Sequence, residues 1–195
     1  MLREGMHVHL VGVGGAGLSA IARVLLGMGY RVSGSDQSAS ALTEKLASEG
    51  ARITIGHATE NVAGADLLLI SSAIPVGNPE VQAARRAGIP VLKRADLIRQ
   101  VMAGRTGIAV AGTHGKTTTT AMLTTLLLEA RLDPSFIVGG VVSDLGTNAR
   151  AGQGDLFVIE ADEYDRMFLG LRPKAAVLTV VEHDHPDCYP TPVEM

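Results

Sequence analysis

Gly112-Thr113-His114-Gly115-Lys116-Thr117-Thr118 gathers a Gly-rich turn, a lysine ammonium and threonine hydroxyls at one point of the chain. Backbone N–H groups of such a turn cradle phosphate oxygens, the lysine offsets their charge, and a hydroxyl is a hard oxygen ligand suited to Mg²⁺. The chemistry this set fits is binding of a nucleoside triphosphate such as ATP, with Lys116 on the β- and γ-phosphates and Thr117 on the metal. The turn departs from the strict G-x-x-x-x-G-K-[ST] spacing, because Val110 stands where the first glycine belongs and Gly112 takes an offset place.

A second Gly-rich turn, Gly12-Val13-Gly14-Gly15-Ala16-Gly17, follows an apolar run near the N-terminus. Gly12, Gly14 and Gly17 satisfy G-x-G-x-x-G, and Asp36 ends the next strand, where a carboxylate could hold a ribose hydroxyl. On residues alone this fits a dinucleotide such as NAD as well as any other diphosphate. His57, Ser71 and Ser72 fall at predicted strand ends on the same side and are candidates to line that pocket; each is also an ordinary turn or capping residue.

Two acidic clusters follow predicted strands of the second half. Glu160-Ala161-Asp162-Glu163-Tyr164-Asp165 sits where α/β sheets bind ligands, and Glu160, which ends the strand, is the first candidate for a carboxylate on Mg²⁺. Glu182-His183-Asp184-His185-Pro186-Asp187 could give one further His or carboxylate to the same centre. An independent zinc site there lacks a third ligand cluster, with Cys188 the only sulfur at hand.

These residues need strands and helices to hold them. Predicted strands at His7–Val13, Tyr30–Gly34, Arg52–Ile55, Asp66–Ile70 and Pro90–Leu92 alternate with helices at Gly15–Met28, Ala41–Glu49, Pro79–Ala87 and Ala95–Ala103. That βαβα order argues for an α/β fold with a parallel sheet covered by helices on both faces, Rossmann-like in the first half. Ala103-Gly104-Arg105-Thr106 reads as a hinge, which divides the chain into domains 1–103 and 104–195. The second unit starts with a strand at Gly107–Ala111 and a helix over Lys116–Ala130 presenting Met122, Leu123, Leu126 and Leu127, a P-loop-type arrangement. Further strands are expected at Phe136–Val138, Leu156–Glu160 and Ala175–Val181, with Gly139–Gly154 as a functional or mobile loop. One long helix for four strands, and a possible helix start at Pro190-Thr191-Pro192, suggest the front part of a longer protein.

Composition limits the partners. The 195 residues carry a net charge of −3 with 3% aromatics, so neither a basic face nor stacking platforms favour nucleic acid. No apolar run reaches the roughly 18 residues of a membrane span, and no signal-peptide core is evident. A single cysteine fits a reducing, cytoplasmic setting.

The ordered set of motifs resembles the Mur ligases. The resemblance rests on His9 to Ser19, Gly34-Ser35-Asp36, Ser71-Ser72-Ala73-Ile74, Asn78-Pro79-Glu80, Ala111 to Thr119, Asn148-Ala149-Arg150, Glu160-Ala161-Asp162-Glu163 and Asp184-His185. It spans essentially the whole chain. It implies that the first Gly-rich turn binds the UDP moiety of a sugar nucleotide rather than NAD, through Gly14, Gly15, Ala16, Gly17 and Leu18, with Ser35, Asp36, His57, Ser71 and Ser72 around it. It implies ATP on Gly112–Thr118, Mg²⁺ on Thr117, Glu160 and His185, and Lys116 in the catalytic role. Within the family, His114 points to the alanine-adding or tripeptide-recycling members, and the Gly14–Gly17 loop to the former. The implied reaction joins L-alanine to UDP-N-acetylmuramate: the carboxylate attacks the γ-phosphate, and the amine opens the resulting acyl phosphate. The chain departs from the family pattern at Val180, where an asparagine is usual. The family's third domain is expected to be missing from this chain, leaving part of the central ATP-binding domain and no complete turnover.

Overall fold

β4 of the first unit, Leu67–Ile70, is a continuous apolar run, as expected where helices cover both faces of a parallel sheet. The computed structural model describes residues 2–185 and 189–191. It divides into two compact units, Met1–Val101 and Met102–Met195.

In the first unit the order is β1 (His7–Val11), α1 (Ala16–Gly27), β2 (Arg31–Asp36), α2 (Ala41–Ser48), β3 (Arg52–Ile55), a 3-10 turn (Thr59–Val62), β4 (Leu67–Ile70), α3 (Pro79–Arg86), β5 (Val91–Lys93) and α4 (Arg94–Val101). The sheet runs β3-β2-β1-β4-β5 with every neighbour pair parallel. Strand order reverses at β1, so β1 and β4 part at their C-terminal ends and open the crevice where such sheets take ligands. Leu18, Ile21, Ala22 and Leu25 of α1 are buried as their spacing predicts. On the other face Val81 and Ala84 of α3 pack with Val11, Val62 and Leu68. Ser40 and Thr43 form a capping box on α2, and Asn78 caps α3 ahead of Pro79. No side chain caps α1, whose first N–H groups are presented at the Gly-rich turn.

The second unit holds β6 (Thr106–Ala111), α5 (Lys116–Glu129), β7 (Ser135–Val142), β8 (Thr147–Arg150), β9 (Leu156–Glu160) and β10 (Ala175–Leu178), with 3-10 turns at Ser143–Leu145 and Tyr164–Gly170. Its sheet is ordered β10-β6-β9-β7-β8, parallel except for antiparallel β8. Leu123 and Leu127 of α5 pack on Phe136, Val138 and Val158.

Three expectations change here. Gly139–Gly154 is not an open loop: β7 continues through Gly139 and Gly140 to Val142, and β8 returns beside it. Glycine reads as a strand breaker, yet a Cβ on Gly139 would stand 2.6 Å from Glu160 Oε1, so any side chain there would push that carboxylate off its bonds to Thr117 and the Gly139 N–H. Met122 and Leu126 are 62% and 65% exposed, while Thr120 and Thr124 are the fully buried residues of α5. The last strand stops at Leu178, before Val181, because Thr179 and Val180 turn onto the phosphate-type loop. Of the suggested helix start, Pro192 lies outside the described residues.

Candidate functional site

In the second unit β6 delivers the chain to Gly112, which has a φ of +130°, and Gly115 at +79° turns it into α5. Lys116 is the first helical residue, and no side chain caps the helix in front of it. Its Nζ donates to the carbonyls of Gly112 (2.7 Å) and Thr113 (3.1 Å) and to Glu163 Oε1 (2.8 Å). The ammonium therefore lies inside the curl of the turn, where an anion would meet it. Thr117 Oγ1 donates to Glu160 Oε1 at 2.9 Å, and the other Glu160 oxygen accepts from Gly139 N–H at 2.6 Å.

Glu163 is the residue that reading the sequence missed, since Glu160 was the member of its cluster singled out. The Glu163 carboxylate is buried, with Lys116 on Oε1, and Oε2 lacks any hydrogen-bond partner among the described residues. Tyr189 Oη donates to the Glu163 carbonyl (2.7 Å) and holds its backbone. His185 Nε2 stands 3.5 Å from Glu163 Oε1, so its ring is beside Glu163. The spacing of Glu163, three residues past a strand-ending Glu160, was the available signal.

Thr179 and Val180 close the turn from the β10 side. Thr179 Oγ1 donates to the His114 carbonyl (2.7 Å), Thr113 N–H donates to the Val180 carbonyl (2.7 Å), and Thr113 Oγ1 donates to the Glu182 carbonyl (2.9 Å). Val180 thus contributes here through its backbone. His114 is 68% exposed beside Glu182, and Thr118 is exposed on the first turn of α5. Among the described residues no three His, Cys, Asp or Glu side chains converge as a metal-binding group. Pro186, Asp187 and Cys188, part of the zinc alternative, lie outside the described residues. The donors present, a threonine hydroxyl, the Glu160 carboxylate and an orphaned Glu163 oxygen, are hard oxygens of the kind Mg²⁺ takes.

In the first unit Gly14 and Gly15 stand in the turn after β1 and Ala16 and Gly17 open α1, with Gly15 and Ala16 exposed and Leu18 buried beneath. Gly12 and Val13 N–H donate to the Ser35 carbonyl (2.8 and 3.0 Å), and Gly14 N–H donates to Asp36 Oδ2 (2.8 Å). Asp36 therefore braces the loop through one oxygen. Ser71 follows β4, with its N–H on the Val11 carbonyl, and Ser72 is exposed next to it. Ser35 is fully buried, its hydroxyl donated to Glu80 at 2.6 Å, so that oxygen faces protein. His57 Nδ1 lies 3.1 Å from Ser35 Oγ. Arg94, unnoticed in the sequence, starts α4 with Nη1 2.5 Å from where a Cβ on Gly17 would stand. That places a guanidinium over the first turn of α1.

A family model described as "Mur ligase family, catalytic domain" matches residues 7–106, and one described as "Mur ligase middle domain" matches residues 110–194. The chain belongs to the Mur ligase family. Curated relatives include the UDP-N-acetylmuramate–L-alanine ligases of Laribacter hongkongensis, 53% identical over 94% of this chain, and of Thiobacillus denitrificans, 52% identical over the same share. The aligned region spans only 39% and 40% of those two proteins. Among solved structures, a UDP-N-acetylmuramate–alanine ligase from Thermotoga maritima is 32% identical with a TM-score of 0.87, over 95% of this chain and 44% of that one. A UDP-N-acetylmuramate:L-alanyl-gamma-D-glutamyl-meso-diaminopimelate ligase from Neisseria meningitides is likewise 32% identical at a TM-score of 0.87, over 95% of this chain and 63% of that one. The α/β architecture of both units is thus the architecture of this Mur ligase family.

Proposed function

We propose that this chain is the nucleotide-handling front part of a ligase that joins L-alanine to UDP-N-acetylmuramate at the expense of ATP. The observation that carries the reading is the set of Lys116, Thr117, Glu160 and Glu163 around one uncapped helix start, in a chain above 50% identical to proteins of that name.

Residues 1–103 are assigned the UDP-sugar role. Gly14–Leu18 would give backbone N–H groups and the start of α1 to the diphosphate, Arg94 would offset its charge, and Asp36, His57, Ser71 and Ser72 would surround the nucleoside and sugar, with Ser35 as their support. Residues 104–195 are assigned ATP on Gly112–Thr118. Thr117, Glu160 and His185 would hold Mg²⁺, and when bound the metal supplies charge neutralisation on the phosphate oxygens. Lys116 would exchange its loop carbonyls for phosphate oxygens while Glu163 keeps it oriented, and would offset charge growing on the transferring phosphoryl group. The sugar-nucleotide carboxylate would thereby become an acyl phosphate for the amine to open.

Calorimetric titration tests the assignment. UDP-N-acetylmuramate should bind the 195-residue chain, NADH should not, and Asp36→Ala should weaken binding about tenfold, the worth of the loop hydrogen bond it removes. NADH binding in place of the uridine ligand would overturn the reading. Since the chain spans about two fifths of its relatives' length, mixing it with ATP, UDP-N-acetylmuramate and L-alanine should release no phosphate above background. In the whole protein, L-alanine rather than a tripeptide should be the accepted amine, the outcome favoured by the names of the 51–53% identical relatives.

A further inference from the structure

The first unit buries a polar chain that the ligand pocket alone does not explain. Glu80, the second residue of α3, is fully buried. Its Oε1 accepts from Asn61 Nδ2 (2.5 Å) and Ala58 N–H (3.3 Å), and its Oε2 accepts from Ser35 Oγ (2.6 Å). His9 Nε2 approaches Oε2 and His57 Nδ1 approaches Oε1, each at 3.4 Å. Five groups from β1, β2, the loop after β3 and the following 3-10 turn thus point at one carboxylate. A buried carboxylate survives only when ringed by donors of this kind.

Counting hydrogens assigns the directions. Ser35 spends its one O–H on Glu80, so its oxygen can only accept from His57 at 3.1 Å. Both neighbours of His57 Nδ1, the Ser35 oxygen and Glu80 Oε1, are then acceptors, and Nδ1 must carry the hydrogen. In the neutral imidazole that leaves Nε2 bare, an acceptor. A second arm reaches Glu80 through His9. His7 Nδ1 faces the Gly64 carbonyl at 2.8 Å, and Ser33 Oγ lies 2.7 Å from both His7 Nε2 and His9 Nδ1. Asp66 and Arg31, which lie on the outer side of His7, do not reach the inner links.

We propose that Glu80 is a positioning residue: through Ser35 and its own Oε1 it locks His57 in the Nδ1–H form, so that Nε2 accepts a hydrogen bond from an N–H or O–H donor of the bound nucleotide. The ligand half of this rests on the sugar-nucleotide reading above; the tautomer half does not. Without the lock, His57 would spend part of its time with Nε2–H, a donor facing a donor.

Nitrogen-15 NMR of the histidine rings in the 195-residue chain tests it. Free protein at neutral pH should show His57 as Nδ1–H with bare Nε2, and UDP-N-acetylmuramate should move the Nε2 resonance as a hydrogen bond reaches it. Glu80→Gln should mix the two His57 tautomers and raise the dissociation constant about tenfold, the loss expected for one ligand hydrogen bond. Ser35→Ala, which leaves Glu80 Oε1 in place, should give the same changes at smaller amplitude and serves if Glu80→Gln fails to fold. His57 found as Nε2–H in the wild type overturns the lock, whatever the ligand does. An unchanged dissociation constant in a folded Glu80→Gln chain that has lost the tautomer overturns the positioning role. Absence of uridine-ligand binding to the wild type overturns the ligand half and the sugar-nucleotide reading together, with the tautomer result separately in hand.

Discussion

At the scale of single residues, two glycines in one turn should respond very differently to the same change. Gly112 has a φ of +130°, and a Cβ there would overlap Thr179 Oγ1 and stand 2.8 Å from the Val180 carbonyl. Gly112→Ala should therefore cost roughly 3 kcal/mol of stability or more, from backbone strain and from pushing on a segment tied down by hydrogen bonds. Gly115 has a φ of +79° with open space around its Cβ position, so Gly115→Ala should cost only about 1 kcal/mol. Urea unfolding of both variants checks the pair, and equal losses would mean that Thr179 and Val180 move aside without penalty. Lys116, Thr117 and Glu160 could be picked from the sequence because Gly-Lys-Thr and a strand-ending acid carry their chemistry in their order. Arg94 could not, and Glu163 and Glu80 stood in motifs without a role, because their importance comes from what the fold brings to them: an ammonium for Glu163, a helix start for Arg94, a ring of donors for Glu80.

At the scale of elements, most strands and helices were legible because their apolar spacing is also the burial pattern. Helix α5 is the exception. Its Leu123 and Leu127 face the sheet as spacing predicts, but Met122 and Leu126 face outward while Thr120 and Thr124 are buried. Hydropathy cannot see that the helix is rotated to aim Lys116 and Thr117 at the turn. Thr120 Oγ1 back-bonds to the Lys116 carbonyl (2.7 Å), whereas Thr124 Oγ1 is buried without a partner among the described residues. Thr124→Val keeps the shape and deletes an unpaired hydroxyl, so it should be neutral or stabilise by about 1 kcal/mol. A loss of that size in thermal unfolding would show that the hydroxyl is hydrogen-bonded. Elements of the first unit meet at Glu80, and acid should find them there. Burial pushes that carboxyl up, but donation from His9, Ser35 and Asn61, together with the His9 charge, outweighs it and holds the pKa at about 2. A folded-state pKa below the unfolded one gives stability that is present above the ordinary carboxylate range and lost as pH falls toward 2, on the order of 3 kcal/mol for a group this buried. Glu80→Gln should flatten that part of the stability–pH curve; an identical slope would place the acid-sensitive group elsewhere.

At the scale of the whole molecule, the two sheets end differently. The outer strands of the first sheet, β3 and β5, are both partly buried, whereas β10 is exposed at all four residues and pairs only with β6 among the described residues. Val177, Leu178, Val180 and Val181 add an apolar run at that edge, between 37% and 64% exposed. A parallel strand with open N–H and C=O groups along one side and apolar side chains is a template for another strand, from its own chain or from a neighbour. The 195-residue chain should accordingly associate as its concentration rises, and Leu178→Lys, which charges the edge without touching the loop contacts of Thr179, should suppress that association. Light scattering across a concentration series reads both. The sugar-nucleotide site is proposed for the other unit, so on that reading UDP-N-acetylmuramate affinity should be unchanged by Leu178→Lys, and a substitution that left association intact would mean that the β10 edge is not where copies meet.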